Sequence, residues 1–130
     1  MKDNSDFPAF TASVIEDKII HINLKKVKEL TVSDISQIYE YYRINGNGKP
    51  VFALITFNGF IPINNKAIKE AKKQYNQKLL YASAYVTKSV SIRLAATFFF
   101  EFFNPKHPMK FFKNKNEAIS WLKKLMKTKK

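Results

Sequence analysis

The run Val51-Phe52-Ala53-Leu54-Ile55 is the feature that most constrains this chain. It has the length of a strand, and a strand with no polar alternation has to be covered on both faces. Leu79 to Val86 makes a second run of that kind. Segments of helical period lie between and around these runs. Strands alternating with helices imply a mainly parallel sheet with right-handed crossovers and helices packed against it.

The remaining elements follow from local signals. Phe10 to Ile15 and Ile19 to Leu24 are β-rich runs separated by Glu16-Asp17-Lys18, which reads as an antiparallel hairpin. Ile20, Ile22 and Leu24 alternate with Ile19, His21 and Asn23, so one face of that strand is buried and the other partly wet. Thr31-Val32-Ser33-Asp34 sets a hydroxyl N-cap three residues ahead of a carboxylate and opens a helix through about Ile44, with Ile35, Ile38 and Tyr42 as its apolar stripe and Tyr39 beside them. Asn45-Gly46-Asn47-Gly48 ends it. Asn64-Asn65 caps a second helix over about Lys66 to Gln77, with Ala67, Ile68, Ala71 and Tyr75 on one side and Lys66, Lys69 and Lys73 on another. Ser89 begins a third helix that runs to about Phe102, where Pro105 and Pro108 follow. A short strand, Met109 to Phe112, precedes a last helix opened by Asn114 and Glu117, with Ala118, Leu122 and Leu125 inward and Trp121 flanking. The expected order is β-β-α-β-α-β-α-β-α, an α/β domain led by an antiparallel hairpin. The 130 residues make one domain, with residues 1–6 and 128–130 expected to fray.

Composition removes several function classes. There is no cysteine, which excludes disulfides, thiol catalysis and thiolate zinc sites. Three glycines, Gly46, Gly48 and Gly59, cannot write a P-loop or a GxGxxG turn. No segment reads as a signal peptide or membrane span, because the longest apolar stretch, Leu94 to Phe103, is about half the length required and contains Glu101. Cytoplasmic residence is the expectation.

Charge is uneven along the chain. Residues 1–43 hold six bases and seven acids, net −1, whereas residues 44–130 hold seventeen bases against Glu70, Glu101 and Glu117, net +14. Such a field concentrates anions near the surface, whether nucleic acid, acidic lipid or an acidic protein. Of the 23 bases only Arg43 and Arg93 are arginine, so the planar fork favoured in base-edge and phosphate recognition is scarce.

Candidates for acid/base chemistry are few. His21 sits in a strand and His107 in a proline loop, and the expected carboxyl ends of the strands carry Thr56-Phe57-Asn58, Thr87-Lys88-Ser89 and Asn114, none of them a good base. The expectation is a protein without catalytic residues, metal ligands or a cofactor. Phe98-Phe99-Phe100-Glu101-Phe102-Phe103 spreads apolar side chains over an arc of roughly 200° on a helix, more than packing on one side of a sheet buries. Phe99, Phe100 and Phe103 are therefore candidates for an apolar interface with a partner, with lipid or with a second copy in a homodimer.

The strand-turn Leu54-Ile55-Thr56-Phe57-Asn58-Gly59-Phe60, the segment Phe98-Phe99 through Asn104-Pro105-Lys106-His107-Pro108, then Phe111-Phe112, and the closing Glu117-Ala118-Ile119-Ser120-Trp121-Leu122 resemble the STAS-like (SpoIIAA-like) small bacterial proteins, the fold of the anti-sigma-factor antagonists. The resemblance covers nearly all of residues 7–127. It implies a regulatory domain that binds a protein partner through the loop before the second helix and through that helix, here Phe57, Asn58, Gly59, Asn64, Asn65, Lys66, Lys69 and Lys73. In phosphorylatable members of that family a serine stands at the start of the second helix, where a phosphate adds charge and switches partner binding. No Ser or Thr lies between Asn58 and Gln77, so the resemblance implies a constitutive or degenerate binder here. The alternative is a basic surface that binds nucleic acid or acidic lipid through its lysines.

Overall fold

The computed structural model describes residues 5–75, 78–103 and 107–128, with the side chains of residue 75 and residues 97–103 outside the description. The elements are β1 (Ser5–Asp6), β2 (Phe10–Val14), a 3₁₀ turn (Glu16–Lys18), β3 (Ile20–Leu24), α1 (Val32–Asn45), β4 (Val51–Thr56), α2 (Asn65–Tyr75), β5 (Leu80–Val86), α3 (Val90–Phe103), β6 (Met109–Phe112) and α4 (Lys115–Lys127). One six-stranded sheet runs in sequence order from β1 to β6, antiparallel from β1 to β3 and parallel from β3 to β6. The expected hairpin, alternation and order are all present.

One expectation needs correction at the N-terminus. Ser5 and Asp6 do not fray but pair with Ala12 and Thr11 as an edge strand. A polar dipeptide carries no strand pattern; it is held by long-range contacts, Lys25 bonding both the Asp6 carboxylate at 2.5 Å and the Phe7 carbonyl at 2.8 Å. Phe7 stacks on Phe10 next to it, with ring centres 4.4 Å apart.

Strand periodicity places the central runs. Along β4, Val51, Ala53 and Ile55 enter a core with Ile20 and Ile22 of β3, Ile35, Ile38, Tyr39 and Tyr42 of α1, and Ala67 of α2. Phe52 and Leu54 enter the opposite core with Ala82, Ala84 and Val86 of β5 and Ala118 and Leu122 of α4. Each buried large apolar side chain stabilises the fold by roughly 1.5–3 kcal/mol relative to exposure, which is why a run without polar residues is required here. Tyr41, outside the expected stripe of α1, is also buried, its ring edge-on to Phe7 at 6.4 Å.

Helix ends obey their local chemistry. Thr31 and Asp34 form the reciprocal capping box, with the Asp34 N–H donating to Thr31 Oγ1 and the Thr31 N–H to Asp34 Oδ2. Asn114 Oδ1 accepts from the Glu117 N–H at 2.9 Å and caps α4. After α1 the chain turns so tightly that a Cβ on Gly46 would lie 2.5 Å from the Lys49 carbonyl and 2.6 Å from Val51 Cγ1. Only glycine fits that approach.

Candidate functional site

The loop from β4 to α2 is fixed at both ends. At its start the Phe57 N–H donates to the Val86 carbonyl at 3.2 Å, prolonging the β4–β5 pairing, and half-buries the Phe57 ring against the α1/α2 core. At its end the Leu30 N–H donates to the Pro62 carbonyl at 2.8 Å and the Asn64 N–H to the Leu30 carbonyl at 2.9 Å, with Leu30 and Ile63 as parallel bridge partners. Ile61 is buried between these anchors. Gly59 adopts φ +72° with the Lys26 ammonium beside it, a left-handed turn that an L side chain adopts only at a cost. This backbone leaves Asn58 exposed, Phe60 71% exposed and Ile63 43% exposed.

The loop leads directly into α2. The Asn64 carbonyl accepts from the Ile68 N–H and its Oδ1 from the Lys66 N–H at 2.8 Å, which is N-cap geometry. Asn65, Lys66, Lys69 and Lys73 are exposed. Glu70 lies 3.9 Å from Lys73 and accepts a hydrogen bond from Gln74 at 2.7 Å. Among the described residues no carboxylate pairs with Lys66 or Lys69. The residues singled out from sequence thus lie on the loop and on the helix it leads into, with Phe57 turned partly inward. Sequence reasoning passed over Phe60 and Ile63, the two apolar side chains that face outward. Their signal was available: they are apolar residues in a Gly/Pro/Asn-rich loop with no periodic partner.

Beneath α2 the packing leaves a cavity of about 140 Å³ between α1, α2 and the sheet. Its walls include Ile22, Ile38, Ile55, Ile63, Ile68 and Ala71, and Tyr39, Tyr42 and Tyr85 are its lining residues whose side chains carry a polar group. Leu24, Ile63, Ile68 and Ala71 are only partly buried, so the wall they form faces outward.

The buried polar groups brace the fold. Ser83 Oγ lies 3.2 Å from His107 Nε2, an arrangement that resembles a nucleophile with its base. Ser83 is fully buried, however, and no substrate can reach it. His107, expected as a loop residue, is itself 8% exposed, and burial lowers its pKa to about 4 and keeps it neutral. Tyr85 next to it is pushed up to about 12 by burial, against the opposing effect of its bond with Ser83. On the other face His21 Nε2 lies 2.8 Å from Thr56 Oγ1, which donates to Asn23 Oδ1. Burial first, and Lys115 second, lower the His21 pKa to about 4. Among the described residues no three His, Asp or Glu side chains gather as a metal site, and no described helix is long and apolar enough to cross a membrane.

Phe99, Phe100 and Phe103 belong to the last turns of α3, and their side chains lie outside the described residues. Earlier in the same helix Val90 and Leu94, one turn apart, are 59% and 63% exposed.

The family model described as "Domain of unknown function (DUF7793)" matches residues 13–126. No curated protein is significantly similar to the chain. Among solved structures, an uncharacterized protein from the DUF3478 family with a SpoIIAA-like fold, from Shewanella loihica PV-4, is similar with a TM-score of 0.65, over 94% of this chain and 92% of that one, at 19% sequence identity. The likeness shows the fold: the sheet and helices described above are SpoIIAA-like.

Proposed function

We propose, given that this chain belongs to the DUF7793 family and is built on a SpoIIAA-like, STAS-like fold, that it is a non-enzymatic domain that binds a protein partner in the cytoplasm. The observation that carries this reading is the loop over residues 57–64: its backbone is pinned by three hydrogen bonds, yet it presents Phe60 and Ile63 to solvent. A fixed loop with outward apolar side chains is preorganised for association, because little ordering entropy remains to be lost on binding. Lysines of α2 rim the patch, the polar margin that an interface has around its apolar centre.

With no Ser or Thr between Asn58 and Gln77, binding is not switched by phosphorylation of a serine or threonine at the start of α2. The test is size-exclusion chromatography and affinity capture of the wild type against Phe60→Ser/Ile63→Ser. The double variant keeps its fold and loses the partner. A partner retained equally by both would refute the docking face.

A second reading, binding of nucleic acid or acidic lipid, is favoured by Lys66 and Lys69, exposed and, among the described residues, without carboxylate partners. Salt separates the two. Counterion release makes polyanion binding collapse as ionic strength rises, whereas an apolar interface persists.

A further inference from the structure

Within this docking face we infer that the cavity between α1, α2 and the sheet receives one bulky apolar side chain of the partner, carried on a segment whose flanking residues are acidic. This rests on the protein-binding reading and deepens it. The 140 Å³ space has about the volume of one large apolar side chain, and it is lined by Ile, Leu and Ala side chains together with three tyrosines. Such a space is poorly hydrated, and filling it restores the dispersion contacts that its lining lacks. The space exists because α2 turns small side chains, Ala67 and Ala71, toward α1. Its outward wall is formed by Ile63, Ile68 and Ala71, and exposed Phe60 precedes Ile63 by three residues in the same loop.

Charge selects the flanks of the occupant. On α2, Lys72 lies about 40° and Lys69 about 100° around the helix from Ile68, both on its solvent side. Lys26 stands beside Gly59 in the adjoining loop. The acids nearby in sequence are Glu29, Asp34 and Glu70; Asp34 is already engaged by the Thr31 cap and Glu70 by Lys73 and Gln74, and they are outnumbered by Lys26, Lys66, Lys69 and Lys72. The face is therefore net positive and complements carboxylates. A second copy of this chain is a poor occupant, since both copies carry +13. A small apolar molecule would fill the cavity but leave Phe60 and the rim lysines uncovered. A peptide segment covers all three.

The experiment is methyl NMR of the full chain titrated with four probes: a twelve-residue Glu/Asp-rich peptide with one central Phe, its Phe→Ala analogue, a Lys-rich peptide with the same Phe, and toluene. The acidic Phe peptide should shift the Ile22, Ile38, Ile55 and Ile68 methyls. The Ala analogue should bind about tenfold more weakly or worse, and the Lys-rich peptide should not bind. Ala71→Leu, which fills the cavity, should weaken the acidic Phe peptide about tenfold with the thermal midpoint retained. If Ala71→Leu fails to fold, Ile63→Glu, which sets a charge like the peptide's at the exposed outer wall of the cavity, should do the same.

Equal binding of the Phe and Ala peptides would overturn the inference. So would binding indifferent to both variants, or methyl shifts caused by toluene but not by the acidic Phe peptide. A cellular partner lost by Phe60→Ser but kept by Ala71→Leu would leave the docking face standing and remove the anchor. A partner kept by both would remove the docking face itself.

Discussion

Acidification should destabilise this fold through His107 in particular. The ring is buried beside Ser83, and burial lowers its pKa from 6.5 to about 4. The sign follows from proton counts: between those values the unfolded chain binds a proton that the folded chain excludes, so stability is full above 6.5 and declines as pH falls toward 4. For one such group, going from about pH 7.5 to about pH 4.5 removes about 2.5 kcal/mol, a large share of the roughly 5–15 kcal/mol typical of a domain. His21 acts in the same direction with a smaller weight, because its ring is partly solvated. The assay is urea denaturation of the wild type and of His107→Gln at both pH values. Gln can still hydrogen-bond Ser83 and does not titrate in this range, so the variant should lose about 2 kcal/mol of the pH-dependent difference whatever its stability at neutral pH. Identical pH dependence in the two proteins would refute the argument, since His107 would then take up its proton without cost.

Three further outcomes test the fold and its ends. Leu54→Ala should lower stability by about 3 kcal/mol in chemical denaturation, because Leu54 is fully enclosed between β-strands and α4. Gly46→Ala should cost about 1–3 kcal/mol, since its Cβ would meet the Lys49 carbonyl and Val51 at sub-van der Waals distance, whereas Gly48→Ala meets no atom and costs only its left-handed φ of +79°. Thr31→Ala should cost about 1 kcal/mol through the lost cap of α1, read as a shifted thermal midpoint.

The sheet was legible in the sequence because strand burial leaves a pattern: Val51 to Ile55 alternates between two cores, so both faces of the strand call for apolar side chains. Helix starts were legible because caps are local, as Thr31/Asp34 and Asn114/Glu117 show. Non-local features were harder to see. Ser5–Asp6 joins the sheet through Lys25 and Phe10, and His107 reaches Ser83 across 24 positions. Neither contact leaves a trace in a neighbourhood of a few residues. The candidate site shows the same division. The run Asn64-Asn65-Lys66 announced a capped helix start, but which aromatic of the loop faces outward depended on the Phe57 N–H bonding Val86, a cross-strand contact that turns Phe57 inward and leaves Phe60 out.

The decisive measurement is capture from a lysate of the source cell on immobilised wild type and on Phe60→Ser/Ile63→Ser, each nuclease-treated and washed at low and at high salt, with protein, lipid and nucleic acid identified. A defined protein should survive high salt on the wild type and be missing from the variant. A set of bound proteins indifferent to the substitutions, or nucleic acid or lipid alone released by salt, would contradict the protein-binding reading.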